Sequence, residues 1–401
     1  MRESFLIGYT TVVDNVLATA LQVIRADELF YWVTPRLERA VAYITGAWHT
    51  LPDGRRVPLS LVNDTAPTLT PPPQYAPRDF PFGDGRGFNL SASHLLALSM
   101  RLIYEREEVV QDVAERHWGL RCAGYFVTGG GDHLLYSDPE NTAEFNPRTG
   151  SAVLCSEQAF IVVFRGTEPT NLINFRSSGR ISMSERPGLG RVHDGFFGAL
   201  FHGDPEAGCL FDRLTETLEA ADCGAGRAIY LTGHSLGGAL AVVFAAALRQ
   251  AHPQMGERIG GVVTFGAPRV GDAAFAQRFD DAFGGRAFRV THGADIIPHV
   301  PPRWLEYEHC GRERYITSFG RILADPEAIR RWHAYEAWGF IPFALAKLVL
   351  GLVDPYESKL RALYRLVCLL LLPGLSDHFP ADYEFKLRRT LAKGTKVEGE
   401  S

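Results

Sequence analysis

The sequence has few of the residues that mark metal sites, disulfide scaffolds or nucleotide-binding loops. Its 401 residues include only six cysteines, which are scattered rather than paired, so we expect reduced, mostly buried thiols. They are Cys122, Cys155, Cys209, Cys223, Cys310 and Cys368. The glycine-rich stretches 83–87 and 129–131 lack dinucleotide or Walker spacing, and no HExxH motif occurs. The sequence therefore predicts neither a metal nor a cofactor.

An excess of one charge and long apolar runs are also lacking. The formal net charge is -5, with 41 basic and 46 acidic residues interspersed, so no extended positive field supports a nucleic-acid partner. The first apolar stretch, Phe5 to Ile24, is interrupted by polar residues and makes a poor signal peptide and a poor membrane span. We therefore expect a cytoplasmic protein.

Apolar patterning divides the chain into a helical part and a mixed part. Residues 1 to about 50 carry apolar residues at helical spacing, and 51–88 is rich in proline and glycine, which is typical of a loop or linker. Ser91 to Trp118 has apolar residues every three or four positions and no proline or glycine. This spacing predicts one amphipathic helix.

Short, β-branched apolar runs follow, and their near-continuous apolarity is typical of strands buried on both faces of a parallel sheet. Helical patterns at 205–221 and 236–250 separate them, and such alternation predicts an α/β fold with a mostly parallel sheet. The runs are Ala159 to Phe164, Ala228 to Thr232, Gly261 to Phe265 and Ala287 to Thr291.

A G-x-S-x-G motif lies between one of these strands and an alanine-rich helix, with Ser235 at its centre. This motif occurs often by chance, but a sharp strand-to-helix turn is where a weakly nucleophilic hydroxyl can meet a base. The positive end of the helix dipole and the Leu236 N–H would stabilise developing negative charge. The context predicts Ser235 as a catalytic nucleophile and Leu236 as an oxyanion donor.

The segment Gly233 to Ala241 (GHSLGGALA) resembles the nucleophile segment of the class 3, or fungal-type, triacylglycerol lipases. Further segments resemble this family in the same order, so that the clear likeness spans Ala159 to Pro302. They are Ile161 to Thr167, Gly190 to Leu200, Thr264 to Asp272 and Asp295 to Pro302. The run Gly188 to His193, with a long later insertion, looks most like the plant oil-body lipase branch.

This resemblance implies an α/β-hydrolase fold with a helical N-terminal region and an apolar helical insertion before a catalytic histidine. It also implies hydrolysis of lipid esters, most simply acylglycerols, with water as the co-substrate. We expect three parts: 1–88 as N-terminal helices and linker, 89–392 as the hydrolase domain with its insertion at 325–373, and 393–401 as a polar tail.

The predicted acid is Asp295, on a loop just past the carboxyl end of a strand, where open α/β sheets place their functional groups. Asp272 follows another strand and is the alternative, but the family pattern treats it as part of a turn. The base should follow the acid in hydrolase order, which leaves four histidines. They are His299, His309, His333 and His378.

Of these, His378 in Ser-Asp-His-Phe resembles the family's catalytic segment ahead of a terminal helix. The family's oxyanion strand corresponds to Ile161 to Thr167, which implies Thr167 as the second oxyanion donor. Arg176 to Arg191, where many relatives carry an amphipathic lid, is polar and glycine-rich.

Two apolar segments, Gly339 to Val353 and Leu360 to Leu372, lie between Asp295 and His378. The first would span about 20 Å as a helix, against about 30 Å of hydrocarbon, so neither is a convincing span. A hairpin of the two could lie in a membrane or droplet surface, replace the lid, or cover the core. The interpretation that we favour is a lipase with such a peripheral contact.

Alternatives with the same chemistry are a phospholipase A1, a carboxylesterase and an acyltransferase that passes the acyl group to an alcohol. A different class is a membrane-associated scaffold that has lost catalysis, against which the intact Ser235, Asp295 and His378 speak.

Overall fold

A computed structural model describes most of the chain. The described residues are 42, 46–60, 62–63, 69–71, 76–77, 87–127, 150–166, 182–202, 208–338, 377–394 and 397–399. Cys368, the two apolar segments 339–353 and 360–372, and the predicted N-terminal helical region up to residue 41 lie outside them. Among the described residues, no helix has both the length and the apolar character needed to cross a membrane.

The centre of the fold is an eight-stranded sheet in the order β12-β11-β10-β9-β8-β5-β4-β3. Strands β5 and β8 to β11 are parallel, whereas β3, β4 and β12 pair antiparallel at the two edges. The strands are β1 (Trp48–Thr50), β2 (Arg56–Pro58), β3 (Arg121–Val127), β4 (Gly150–Cys155), β5 (Ala159–Phe164), β6 (Met183–Arg186), β7 (Gly190–His193), β8 (Ala228–His234), β9 (Ile259–Phe265), β10 (Ala287–His292), β11 (Arg312–Ile316) and β12 (Ile322–Leu323).

The predicted mostly parallel sheet is confirmed, and its four predicted strands are β5, β8, β9 and β10. Their apolar runs are continuous because successive side chains point to opposite faces of the sheet, and each face carries an apolar core. In β5, Ile161 and Val163 pack on one face, and Phe160 and Val162 pack on the other. Both faces are therefore buried, as parallel sheets require.

Helices cover the two faces of the sheet. The helices are α1 (Leu90–Leu102), α2 (Glu107–Asp112), α3 (Asp194–Phe201), α4 (Leu210–Asp222), α5 (Leu236–Ala251), α6 (Pro253–Glu257), α7 (Ala273–Phe283), α8 (Pro326–Trp338) and α9 (Pro380–Ala392). Helices α1 and α9 pack together on one face, and α3, α4, α5 and α7 contribute to the core on the other. The helix predicted from 205 begins only at Leu210, where the Cys209 sulfur accepts a hydrogen bond from Asp212 N.

The single helix predicted from Ser91 to Trp118 is wrong. Helix α1 ends at Leu102, α2 starts at Glu107 after an extended Arg106, and Val113–His117 forms a π-helical turn. Tertiary contacts explain the break, because the Glu105 carboxylate accepts hydrogen bonds from Ser60 and Asn63.

A short hairpin, β1–β2, occupies the stretch predicted to be helical up to about residue 50 and then a linker. Its residues Leu51, Val57 and Leu59 are buried in the core beside α1. The described part of that stretch is therefore packed against the hydrolase core.

The described cysteines are free, but the expectation that they are mostly buried is wrong. Only Cys155 among them is fully buried, and Cys223 is exposed at the end of α4.

Candidate active site

Ser235 occupies a strained turn between β8 and α5. Its backbone has φ 56° and ψ -127°, a conformation that costs a non-glycine residue free energy and that clusters at functional sites. A Cβ on Gly233 would lie 2.3 Å from the carbonyl carbon of Gly237, and one on Gly237 would lie 2.2 Å from Phe164 O. The motif needs both glycines because the helix begins against neighbouring backbone.

Asp295 and His378 meet at the carboxyl edge of the sheet, although 83 residues separate them in sequence. His378 Nδ1 lies 2.8 Å from Asp295 Oδ2, and both side chains are almost fully buried. The other carboxylate oxygen, Oδ1, accepts a hydrogen bond from Ile297 N at 2.9 Å. These contacts fix the carboxylate and turn Nδ1 of the imidazole toward it.

Ser235 and His378 share close neighbours. Ser235 N donates to Phe265 O at 2.9 Å, and a Cβ on the next residue, Gly266, would lie 3.1 Å from His378 Cε1. His234, which precedes the serine, lies within 2.6 Å of His378 O through Nε2. Ser235 Oγ and His378 Nε2 are both buried, and neither has a hydrogen-bond partner among the described residues. The geometry leaves both atoms available for proton transfer.

The competing acid, Asp272, has a different environment. Its Oδ1 accepts a hydrogen bond from Phe275 N at 2.9 Å and so caps the N-terminus of α7, while Oδ2 pairs with Arg191. Among the described contacts, none joins Asp272 to a histidine.

The other candidate bases form contacts away from Asp295. His309 Nε2 lies 2.7 Å from Pro298 O, and His333 lies 3.5 Å from Glu313. His299 packs edge-on against His333. Of the four histidines, His378 is the one that the structure brings to Asp295.

His234 is a neighbour of the site that the sequence did not single out. Its ring packs against His378 with centroids 4.4 Å apart, and its Nδ1 lies 3.1 Å from the Tyr104 hydroxyl. Burial holds the pKa of His234 well below its usual value, and the nearby His378 lowers it further. A neutral His234 can therefore support His378 without adding a positive charge beside it.

Tyr383 and Gly266 also lie at the site and were not predicted from the sequence. The Tyr383 hydroxyl donates to Asp295 Oδ2 at 2.5 Å. Gly266 has φ +57°, and a Cβ there would lie 2.8 Å from the same oxygen. No local pattern in the sequence marks either contact.

The first predicted oxyanion donor, Leu236, and the residue before the second, Gly166, lie beside Ser235. Leu236 is the first residue of α5, where helix N–H groups lack intrahelical partners. A Cβ on Gly166 would lie 2.5 Å from His234 O and 3.2 Å from Ser235 Cβ, so the backbone after β5 passes against the nucleophile turn. Thr167 comes next in sequence and lies outside the described residues.

The polar stretch 176–191, where many relatives carry a lid, is described by the structure only from residue 182 onward. There Met183–Arg186 and Gly190–His193 pair as an antiparallel hairpin, β6–β7. His193 N donates to Val270 O, which holds this hairpin near the loop after β9.

Residues 161–304 match the family model described as lipase (class 3). This stretch, called the lipase region below, is similar to the class 3 lipases. The resemblance predicted from the sequence is thereby confirmed. Within this lipase region lie Ser235 and Asp295, whereas His378 and Tyr383 lie beyond its end.

The similarity to curated relatives extends past the lipase region. Triacylglycerol lipase OBL1 of Arabidopsis thaliana is 27% identical over 343 residues, which cover 73% of this chain and 64% of that protein. The protein of the same name from Ricinus communis is 25% identical over 363 residues, covering 76% and 66%. Both relatives are from plants, as the predicted branch implies. The chain spans slightly less than two thirds of their length.

Among solved structures, the chain is similar to the triacylglyceride lipase of Rhizomucor miehei. The TM-score is 0.44 and the identity 21%, with 58% of this chain and 82% of that chain covered.

Proposed function

We propose that this protein is a serine hydrolase that cleaves carboxylic ester bonds of lipids, with acylglycerols as its substrates. The observation that carries the proposal is the 2.8 Å contact between His378 Nδ1 and Asp295 Oδ2, next to Ser235 at its strained turn. This combination supplies a nucleophile, a base and a group that orients the base.

The proposed reaction begins when His378 Nε2 takes the proton of Ser235 Oγ, which attacks the ester carbonyl carbon. The Leu236 N–H and Thr167 hold the oxyanion of the tetrahedral intermediate. The carbon–oxygen ester bond then breaks, and the imidazolium gives its proton to the leaving alcohol. Water, deprotonated by His378, hydrolyses the acyl-enzyme and releases the fatty acid. Asp295 stabilises the imidazolium in both halves.

A lipid substrate is supported by the similarity to the plant relatives, which are triacylglycerol lipases. The apolar segments 339–353 and 360–372 support peripheral contact with a membrane or lipid droplet. The division into 1–88, 89–392 and 393–401 remains part of the same proposal.

The test is hydrolysis of p-nitrophenyl esters of increasing chain length and of emulsified triolein by the purified chain. Ser235→Ala should reduce turnover to background. Asp295→Asn should lower kcat by about 10⁴-fold, because the histidine loses its orienting carboxylate. Asp272→Asn is the matched control and should keep most activity, since asparagine also caps helices.

Equal turnover by wild type and Ser235→Ala would exclude the proposed nucleophile. Inert wild-type protein on every ester would favour the scaffold alternative. Phospholipid substrates and added alcohol test for phospholipase A1 and acyltransferase activity, and cleavage of short-chain esters alone would indicate a carboxylesterase.

A further inference from the structure

Three potential metal ligands lie together away from the serine site. His49 is in β1, Asp112 ends α2, and His117 ends the π-helical turn. One ring nitrogen of each histidine and one carboxylate oxygen of Asp112 all lie within 4.8 Å of one another. His49 Nε2 already lies 2.5 Å from Asp112 Oδ2, and the two imidazole rings meet edge to face with centroids 5.8 Å apart.

The π-helical turn is what brings His117 to Asp112. In an α-helix, residues five apart differ by about 140° around the axis, so their side chains diverge. In the wider π turn, marked here by the hydrogen bond from Trp118 N to Val113 O at 3.0 Å, residues five apart differ by a smaller angle around the axis. Such turns are rare and occur frequently at functional sites. Here the turn places a second imidazole beside a carboxylate that already contacts the first.

We propose that His49, Asp112 and His117 bind a divalent transition-metal ion, for which Zn²⁺ is the best match. Two imidazole nitrogens and one carboxylate oxygen form a ligand set that Zn²⁺ prefers, with a fourth position for water. Tetrahedral bonds of about 2.0–2.1 Å require ligand atoms about 3.3 Å apart. The exposed His117 side chain can turn inward to reach this spacing, while buried His49 and Asp112 provide the fixed side of the site.

Arg116 sets the strength of this site. Its guanidinium pairs with both oxygens of Asp112, through Nε to Oδ1 and through a terminal nitrogen to Oδ2 at 2.6 Å. Its side chain is 45% exposed. When the ion binds Oδ2, Arg116 retains Oδ1 and orients the carboxylate, but its positive charge opposes the ion. Binding is therefore weaker than the ligand set alone would give.

An ion at this position would join the β1–β2 hairpin to the π-helical turn and hence to the core beside α1. Because it binds only the folded chain, it should raise the melting temperature.

The experiment is a calorimetric titration of the untagged, EDTA-treated full chain with Zn²⁺, accompanied by thermal unfolding. The wild type should bind one equivalent with a rise in Tm. His117→Ala should weaken binding at least tenfold and abolish the rise, and Arg116→Gln should bind more tightly than wild type. His252→Ala is the matched control, because His252 is also an exposed histidine near a carboxylate, at 3.8 Å from Glu219.

Wild-type binding that His117→Ala leaves unchanged would overturn the assignment, as would the absence of binding by the wild type. Weaker Zn²⁺ binding by Arg116→Gln than by the wild type would contradict the proposal that the positive charge of Arg116 weakens binding. Folding of each variant is monitored by its Tm without metal, and none of these measurements depends on ester hydrolysis.

Discussion

The Tyr383 hydroxyl donates a hydrogen bond to Asp295 Oδ2, the oxygen that also contacts His378 Nδ1. Burial, together with the charge of Asp295, raises the pKa of Tyr383 well above its usual value. Tyr383 therefore remains protonated and acts as a donor throughout the working pH range. We infer that it is a positioning residue, which fixes the carboxylate that orients the base.

Tyr383→Phe should lower kcat about tenfold and leave KM unchanged, because the buried hydroxyl holds Asp295 rather than substrate. A hydrogen bond to a charged group contributes about 1.5–3 kcal/mol, part of which orients the carboxylate. The measurement is steady-state kinetics on a soluble ester. Tyr125→Phe, which removes a part-buried hydroxyl bonded to Glu105 O, is the control and should retain full activity. An unchanged kcat in Tyr383→Phe would refute the positioning role.

Gly266→Ala should strongly reduce the proposed ester hydrolysis, because its Cβ would lie 2.8 Å from Asp295 Oδ2. The control is Gly224→Ala, where φ is +77° and a Cβ would meet no atom within 4 Å. Both variants incur about 1–2 kcal/mol for a left-handed backbone, so both should lose similar stability from that source. Only Gly266→Ala should lose at least about 100-fold in kcat/KM. If the two variants are equally active, the contact with Asp295 does not matter for catalysis.

Glu384→Gln should destabilise the fold by about 3–5 kcal/mol, because it removes a negative charge that lies against the buried Arg101. Glu384 lies 2.7 Å from both Arg101 and His94, and it joins α9 to α1. Burial favours the neutral acid, but these partners keep the pKa of Glu384 below its usual value. Urea unfolding measures the loss.

The matched control for that variant is Glu398→Gln, which breaks the exposed pair with Arg321. The two side chains of this pair are 42% and 49% exposed, so the loss should stay below about 1 kcal/mol. Similar losses in Glu384→Gln and Glu398→Gln would show that burial does not strengthen the Arg101 pair.

The free energy of unfolding should fall as the pH is lowered from about 6.5 toward 5. Burial lowers the pKa of several histidines, to about 4 for His193 and His299 and well below 6.5 for His234 and His309. In this window the unfolded chain, with a histidine pKa of about 6.5, binds protons that the folded chain does not. Stability is therefore lost at up to about 1.4 kcal/mol per pH unit for each histidine.

His309→Gln tests this linkage, because glutamine can still donate to Pro298 O but does not titrate. Urea unfolding at pH 5.0 to 6.5 should give a slope smaller than the wild-type slope by up to about 1.4 kcal/mol per pH unit, with the largest difference near pH 5. Identical slopes in the two proteins would contradict the lowered pKa of His309.

The sequence by itself predicted the features that depend on neighbouring residues. Four buried strands followed from continuous apolar runs, and the turn at Ser235 followed from its flanking glycines and the alanine-rich helix. These are local consequences of backbone sterics and of burial on both faces of a sheet. Order along the chain and family likeness then selected Asp295 and His378, which the structure places in contact.

Tertiary packing decided the features that depend on distant residues. The helix predicted from Ser91 breaks because Glu105 contacts Ser60 and Tyr104 contacts His234. No local sequence pattern indicates such distant partners. Strand β3 at one edge of the sheet and its neighbour β4 were not predicted, and antiparallel pairing with each other and with β5 makes them strands. Tyr383 meets Asp295 across 88 residues. Local propensity is a property of a few adjacent residues, whereas these contacts exist only in the folded chain.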